Sequence, residues 1–284
     1  MIESERTAEQ SFAKMHEMYR AMWQADQDYD GARRSASRRA GGDGEKLEQY
    51  NASGNNICGP FIGKVMEKAI KMGESNACMR RIVAAPTAGS CGVVPAILIT
   101  YERMTNTSEN DMVKALFVAA GIGDVIARRA SISGARGGCQ AEIGASSAMA
   151  AGALAWLKSG SSHLITQAAA MALKSLLGLV CDPVAGLVEV PCVKRNASGA
   201  MNALCAVDMA LAGIESAIPA DEVIDAMREI GDLTPQQERQ LAKITLAAER
   251  MQRLIHVLLA LARDKDVKAA DNDIKYLPDI AREI

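Results

Sequence analysis

A chain of 284 residues that is 49% apolar, with 32 basic against 34 acidic side chains, can bury one large core or two modest ones and has no charge excess to attract nucleic acid. Aromatic residues are only 4% while Ala, Met and Gly are abundant, which suits closely packed helices and lacks the β-branched and aromatic clusters of sheets, so the expected fold is all-α. Seven cysteines behind an acidic N-terminus without a signal-peptide pattern point to a reducing, cytoplasmic setting, and no apolar run of the core reaches the ~20 residues needed to cross a bilayer.

Phe12, Met15, Tyr19, Met22 and Trp23 recur at spacings of three and four and predict an amphipathic N-terminal helix within residues 1–30. Between Gly31 and Asn56 the periodicity stops. Arg33, Arg34, Arg38 and Arg39 alternate with small residues ahead of two Gly-rich and Asn-rich clusters, so residues 31–56 read as a flexible loop. No aromatic residues interleave with these arginines as a nucleic-acid surface would require, which leaves a solvated loop or a lid over an anionic substrate.

Helical patterning returns from Ile57 to Met72. Ile82 to Ala85 then run into Pro86-Thr87-Ala88-Gly89-Ser90-Cys91-Gly92, a turn of small residues that feeds a helix beginning at Val93. Such a turn is either an ordinary connection or a carboxylate site, because its amides can point inward and the helix N-terminus adds partial positive charge.

Asp111 to Ile126 predicts a further helix, closed by Arg128 and Arg129. Gly134 to Gly138 reads as a flexible turn that places Cys139 at or just before the N-terminus of a helix reaching Leu157, a position that favours the thiolate. A helix over 164–180 must stop near Cys181 because Asp182-Pro183 follows, and Pro191 likewise marks a turn at Cys192, with the next helix starting around Asn196. Cys139, Cys181 and Cys192 thus fall at helix boundaries, at spacings far wider than the C-x-x-C of a zinc ribbon or a bacterial ferredoxin. On spacing alone they are either buried fillers or metal ligands assembled by the fold; Cys58, Cys78, Cys91 and Cys205 read as small apolar fillers. Finally, Thr234-Pro235-Gln236-Gln237 opens a long C-terminal helix whose Leu241, Ile244, Ala248, Met251, Ile255, Leu258 and Ala262 form a packing seam.

Three of these segments, Ala85 to Gly92, Gly134 to Glu142 and Cys181 to Asn196, resemble in order and spacing the α chain, or catalytic half, of the bacterial iron-sulfur-dependent L-serine dehydratases, over about residues 40 to 230. The resemblance implies that Cys139, Cys181 and Cys192 hold a [4Fe-4S] cluster whose fourth iron is open to substrate. It implies that Thr87, Ala88, Gly89, Ser90 and Gly92, with Asn196, bind a small amino-acid substrate, and that the reaction converts L-serine to pyruvate and ammonia. The domain organisation then expected is an N-terminal helix (1–30), an Arg/Gly-rich loop (31–56), a single helical iron-sulfur catalytic core (57–230) and a C-terminal helical segment (231–284).

Dehydration needs a base on the α-proton. His16, His163 and His256 lie in no matching motif, so Lys194, two residues from Cys192, is the best local candidate, either as that base or as a charge partner for a bound carboxylate; Ser90 is the second candidate catalytic residue. The family's catalytic half is joined to a smaller β portion that nothing in this chain matches, so a β subunit or a homo-oligomer is expected, and another chain could supply the base. The segment Glu238-Arg239-Gln240 and the pair Arg80-Arg81 depart from the family pattern, which keeps L-threonine, L-cysteine or a related acid open as substrate. A non-catalytic scaffold or regulatory subunit is the rival from another class.

Overall fold

The structure, a computed structural model, describes residues 6–181 and 189–232 together with residues 250, 251 and 254. The chain divides into two compact units, Met1–Asp232 and Leu233–Ile284. The long C-terminal helix expected after Thr234 falls almost wholly outside the described residues, of which Arg250, Met251 and Leu254 are helical.

The first unit is built from α1 (Ala8–Gln27), α2 (Asp43–Ala52), α3 (Gly59–Ala77), α4 (Val93–Thr105), α5 (Glu109–Arg129), α6 (Gly134–Cys139), a π-helical turn (Gln140–Gly144), α7 (Ala145–Ser159), α8 (Ser162–Lys174), α9 (Val190–Leu211) and α10 (Ala220–Gly231). No strand occurs among the described residues, so the all-α expectation holds.

At the centre lie α4 and α7. Val93 through Thr100 are all buried, as are Ala145 through Ala155, so both helices are enclosed on every side over these stretches. The small side chains of α7 make this possible: with Ala, Gly and Ser along it, α4, α5, α8 and α9 can all pack directly against its backbone. In front of this core, α3 packs against α2, α4 and α9.

The N-terminal helix forms as its apolar stripe predicts, and a reciprocal capping box between Thr7 and Gln10 starts it. It is fixed to the core by polar contacts as well as by packing. The Tyr19 hydroxyl donates to Glu102 Oε2 at 2.7 Å, and the buried Lys68 ammonium of α3 pairs with the Asp26 carboxylate.

Two expectations need correction. The stretch 31–56 is not one flexible loop, because α2 occupies its second half. Gly42 at the N-cap has φ 84° and offers no side-chain cap. The Glu74 carboxylate of α3 supplies it instead: Oε1 accepts the Gly41 and Asp43 amides at 3.1 and 2.8 Å, and Oε2 accepts the Gly44 amide at 3.1 Å and the Tyr29 hydroxyl at 2.6 Å. A cap that comes from another helix leaves no local sequence signal. The arginine segment is held at its other end too, where the Ser35 and Ser37 hydroxyls both donate to the Glu189 carboxylate.

The second correction concerns Cys192. The helix expected from around Asn196 begins at Val190 with proline in its first turn, where the missing N–H costs nothing. Cys192 therefore sits on the first turn of α9 rather than in a connecting loop. The helix before Cys181 is also shorter than expected, since α8 ends at Lys174.

Candidate active site

Gly138 makes the local geometry at Cys139. Its φ of 73° with ψ of −172° breaks α6. Cys139, the last residue of α6, N-caps the π-helical turn that leads into α7, and the stretch Gly134–Gly138 expected as a flexible turn is instead the body of α6, where glycines are tolerated because the helix is short and broken at Gly138. A Cβ on residue 138 would stand 3.0 Å from the Leu179 carbonyl oxygen, in addition to the left-handed strain.

The segment leading to Cys181 is tied to this point. The Gln140 amide N–H donates to the Leu179 carbonyl at 2.9 Å and the Gln140 side-chain oxygen accepts the Gly178 amide at 2.9 Å, while Gln140 Nε2 reaches the Met227 carbonyl at 3.3 Å. From the other side comes α9. Cys192, Arg195 and Asn196 stand at positions i, i+3 and i+4, one face of a helix. Arg195 Nη1 donates to Cys139 Sγ at 2.9 Å and to the Val180 carbonyl at 3.1 Å.

The three cysteines predicted from the sequence are thus brought together. All are free thiols. Contact with the Cys192 thiol, the largest cause, together with hydrogen bonding and charge from Arg195, brings the Cys139 pKa down to about 6 against the cost of its burial. Cys192 is pushed the other way, first by that same contact with Cys139 and then by burial, and Cys181 is raised by burial and by the Cys139 charge. Among the described residues no group of three His, Cys, Asp or Glu stands in ready-made geometry for a metal ion. The donor chemistry nonetheless fits an iron-sulfur cluster: Cys139 is in contact with both Cys181 and Cys192, and the Arg195 guanidinium favours its deprotonated form.

The Thr87–Gly92 loop faces this site through Asn196. The buried Asn196 amide donates to the carbonyls of Gly89 and Cys192, both at 2.9 Å, and its oxygen accepts the Gly92 amide at 2.8 Å, so one side chain clamps the loop to the first turn of α9. Gly92 has to be glycine here, since a Cβ would come within 2.5 Å of the Ala69 carbonyl oxygen and 2.9 Å of Asn196 Oδ1. Inside the loop, the fully buried Ser90 hydroxyl lies 3.1 Å from Thr87 Oγ1. The amides of Ala88, Gly89 and Ser90 have no acceptor among the described residues, and they precede the N-terminus of α4. That is the arrangement an anion-binding turn needs.

A sequence model of the serine dehydratase alpha chain family matches residues 1–247. The chain belongs to that family. It is 49% identical over 245 residues to the "Probable L-serine dehydratase, alpha chain" of Bacillus subtilis strain 168, covering 86% of this chain and 82% of that one. It is 46% identical over 188 residues to the "L-serine dehydratase, alpha chain" of Peptoniphilus asaccharolyticus, covering 66% of this chain and 64% of that one. Against "L-serine dehydratase 2" of Escherichia coli strain K12 it is 44% identical over 165 residues, which is 57% of this chain and 36% of the longer relative.

In this serine dehydratase alpha chain, Lys194 does not join the cysteines. Two positions along a helix from Cys192, it points elsewhere; its side chain is 63% exposed and pairs with Asp43 at 3.2 Å. Arg80 and Arg81 are likewise exposed. His16 and His163 are engaged by Glu109 and Glu215, at 2.9 and 3.0 Å, and His256 lies outside the described residues. Cys91, in the loop, is a buried thiol that donates to the Met72 carbonyl at 3.6 Å, and burial raises its pKa to about 12.

Two residues at the site escaped the sequence reading. Arg195 carried a signal, its helical spacing from Cys192. Glu142, three residues after Cys139, carried the same one. A Cβ on Gly89 would meet its Oε2 at 2.9 Å, and one on Gly134 would meet it at 2.6 Å, so its carboxylate fills the space between the loop and the start of α6.

Proposed function

We propose that this alpha chain is the catalytic half of an iron-sulfur-dependent L-serine dehydratase, a lyase that converts L-serine to pyruvate and ammonia. The observation that carries the reading is the convergence of Cys139, Cys181 and Cys192 beside the Thr87–Gly92 loop, with Arg195 and Asn196 of α9 joining the two. A [4Fe-4S] cluster held by the three cysteines would supply a Lewis acid for the departing β-hydroxyl, a poor leaving group unaided.

The chain's own residues do the rest. The open amides of Ala88, Gly89 and Ser90, backed by the start of α4, bind the substrate carboxylate. Ser90 and Thr87 hold the loop in shape, and Asn196 fixes its distance from Cys192 so that a bound substrate presents its β-carbon toward the cysteines. Arg195 favours the deprotonated form of Cys139 that a metal requires. Loss of water leaves an enamine, which tautomerises and hydrolyses to the keto acid and ammonia without further help.

The alpha-chain names of its relatives, and the greater length of the Escherichia coli protein, support a working partnership with a β subunit. Seven cysteines, all free where described, suit a reducing cytoplasm, and no helix among the described residues is long and apolar enough to cross a membrane. The test is to purify the protein without oxygen, with and without its partner subunit, measure iron, sulfide and the absorption spectrum, and assay keto-acid formation from L-serine, L-threonine and L-cysteine. Pyruvate from L-serine that tracks iron content is expected; an iron-free protein, or one that holds iron and acts on none of the three, would refute the reading.

A further inference from the structure

We propose that the Glu142 carboxylate is the base that removes the α-proton of the substrate, an assignment that rests on the dehydratase reading above. Its place in the fold is the first reason. Glu142 lies in the middle of the π-helical turn Gln140–Gly144, a widened turn of the kind that recurs at functional sites. Gln140 pins this turn through the Met227 carbonyl and the Gly178 amide.

What surrounds the carboxylate is the second reason. It is flanked by Gly89 of the carboxylate-binding loop and Gly134 at the head of α6, and at both positions a methyl group would intrude on Oε2, at 2.9 and 2.6 Å. It lies close enough to Cys139, Cys181 and Cys192 for its charge to act on all three sulfurs. A substrate whose carboxylate sits on the Ala88–Ser90 amides and whose β-hydroxyl is directed at the cysteines must carry its α-carbon between them. Glu142 borders that space.

The third reason is that this half-buried carboxylate makes no hydrogen bond or ion pair among the described residues. Among the described residues, other carboxylates around the site are engaged: Glu74 caps α2, Glu189 holds Ser35 and Ser37, and Asp43 pairs with Lys194 and Lys46. A base must keep a lone pair for substrate, and Glu142 does.

The carboxylate takes the α-hydrogen as a proton, and the C–H pair becomes the Cα–Cβ π bond. The Cβ–O bond breaks, and the hydroxyl departs with its electron pair. Transfer of the proton from Glu142 to that hydroxide releases water, restores the carboxylate and leaves 2-aminoacrylate.

The experiment compares wild type, Glu142→Gln and Glu142→Asp, each prepared anaerobically with its partner subunit, for three properties: iron and sulfide per chain with the absorption spectrum, affinity for D-serine as a non-reacting probe, and pyruvate formation from L-serine. Glu142→Gln should lose about 10²–10⁴-fold in kcat, the contribution of a positioned base, with iron content and D-serine affinity within about twofold of wild type. Glu142→Asp, which keeps a carboxylate at shorter reach, should recover about tenfold over the Gln variant. Turnover of Glu142→Gln within about tenfold of wild type would overturn the assignment. So would loss of iron or of D-serine binding, either of which makes the carboxylate structural. A wild type that holds iron yet forms no pyruvate would instead remove the dehydratase reading, and this assignment with it.

Discussion

Arg195 reaches across from the first turns of α9 to place its guanidinium 2.9 Å from Cys139 Sγ, a residue 56 positions earlier in the chain. The same nitrogen holds the Val180 carbonyl, next to Cys181, so one cation organises two of the three proposed ligands.

Replacing Arg195 with Gln should weaken cluster retention, because an outer-shell group that orients a ligand is worth about 10–100-fold in metal affinity. Iron loss to a chelator, followed by the cluster absorption, reads this directly. Arg195→Lys, which keeps the charge, should fall between wild type and Gln. Identical loss rates in all three proteins would mean that the contact does not support the cluster.

Asn196→Ala removes three hydrogen bonds at once and releases the loop from α9. Buried groups left without partners cost about 1–3 kcal/mol each, so thermal stability should drop. The KM for L-serine should rise about tenfold or more, and kcat should fall less. An unchanged KM in a folded, active variant would separate the loop from substrate binding.

Ser90→Ala tests the loop from within. It loses the contacts with Thr87 and touches no cysteine, so the KM should rise while iron content and spectrum stay at wild-type values. Loss of the cluster in this variant would contradict the separation of the two roles.

Glu67 carries a pH prediction. Burial raises the pKa of this carboxylate, but Lys64, Lys71 and Asn51 outweigh it and the net pKa lies below 4.5. The unfolded chain therefore binds a proton more readily than the folded one in the window beneath 4.5. The stability contributed by Glu67 is fully present above that value and is lost as pH falls through the folded-state pKa. Glu67→Gln should cost about 1–3 kcal/mol at pH 7, since it removes the buried charge that Lys64 and Lys71 bond while Lys71 keeps Glu48, and the loss should shrink on acidification. Urea unfolding at pH 7 and at pH 4 checks both the size and the trend; a difference between the proteins that does not change with pH would contradict it.

Much of this was legible in the sequence, and what was not has identifiable causes. The apolar stripe from Phe12 to Trp23 located α1 because that signal is local, whereas the glycine run Gly134–Gly138 read as a turn and forms the short helix α6, broken only at Gly138. The start of α9 was misread because Pro191 can either end a helix or begin one, and only the packing of Cys192 and Val193 against the core decides. α2 was missed because Glu74, on another helix, caps it. Lys194 looked close to the site along the chain, but two residues of helix turn a side chain away, whereas the three-residue offsets of Arg195 and Glu142 turn theirs toward it.

The most direct test of the account compares iron, sulfide and pyruvate formation in anaerobically prepared wild type, Cys181→Ser and Cys91→Ala. Cys91 is a buried thiol bonded to the Met72 carbonyl, whereas Cys181 interacts with Cys139. Cys181→Ser should lose cluster and activity together, and Cys91→Ala should keep the cluster. A Cys181→Ser protein with full iron content, or a Cys91→Ala protein stripped of it, would contradict the assignment of Cys139, Cys181 and Cys192 as the ligands.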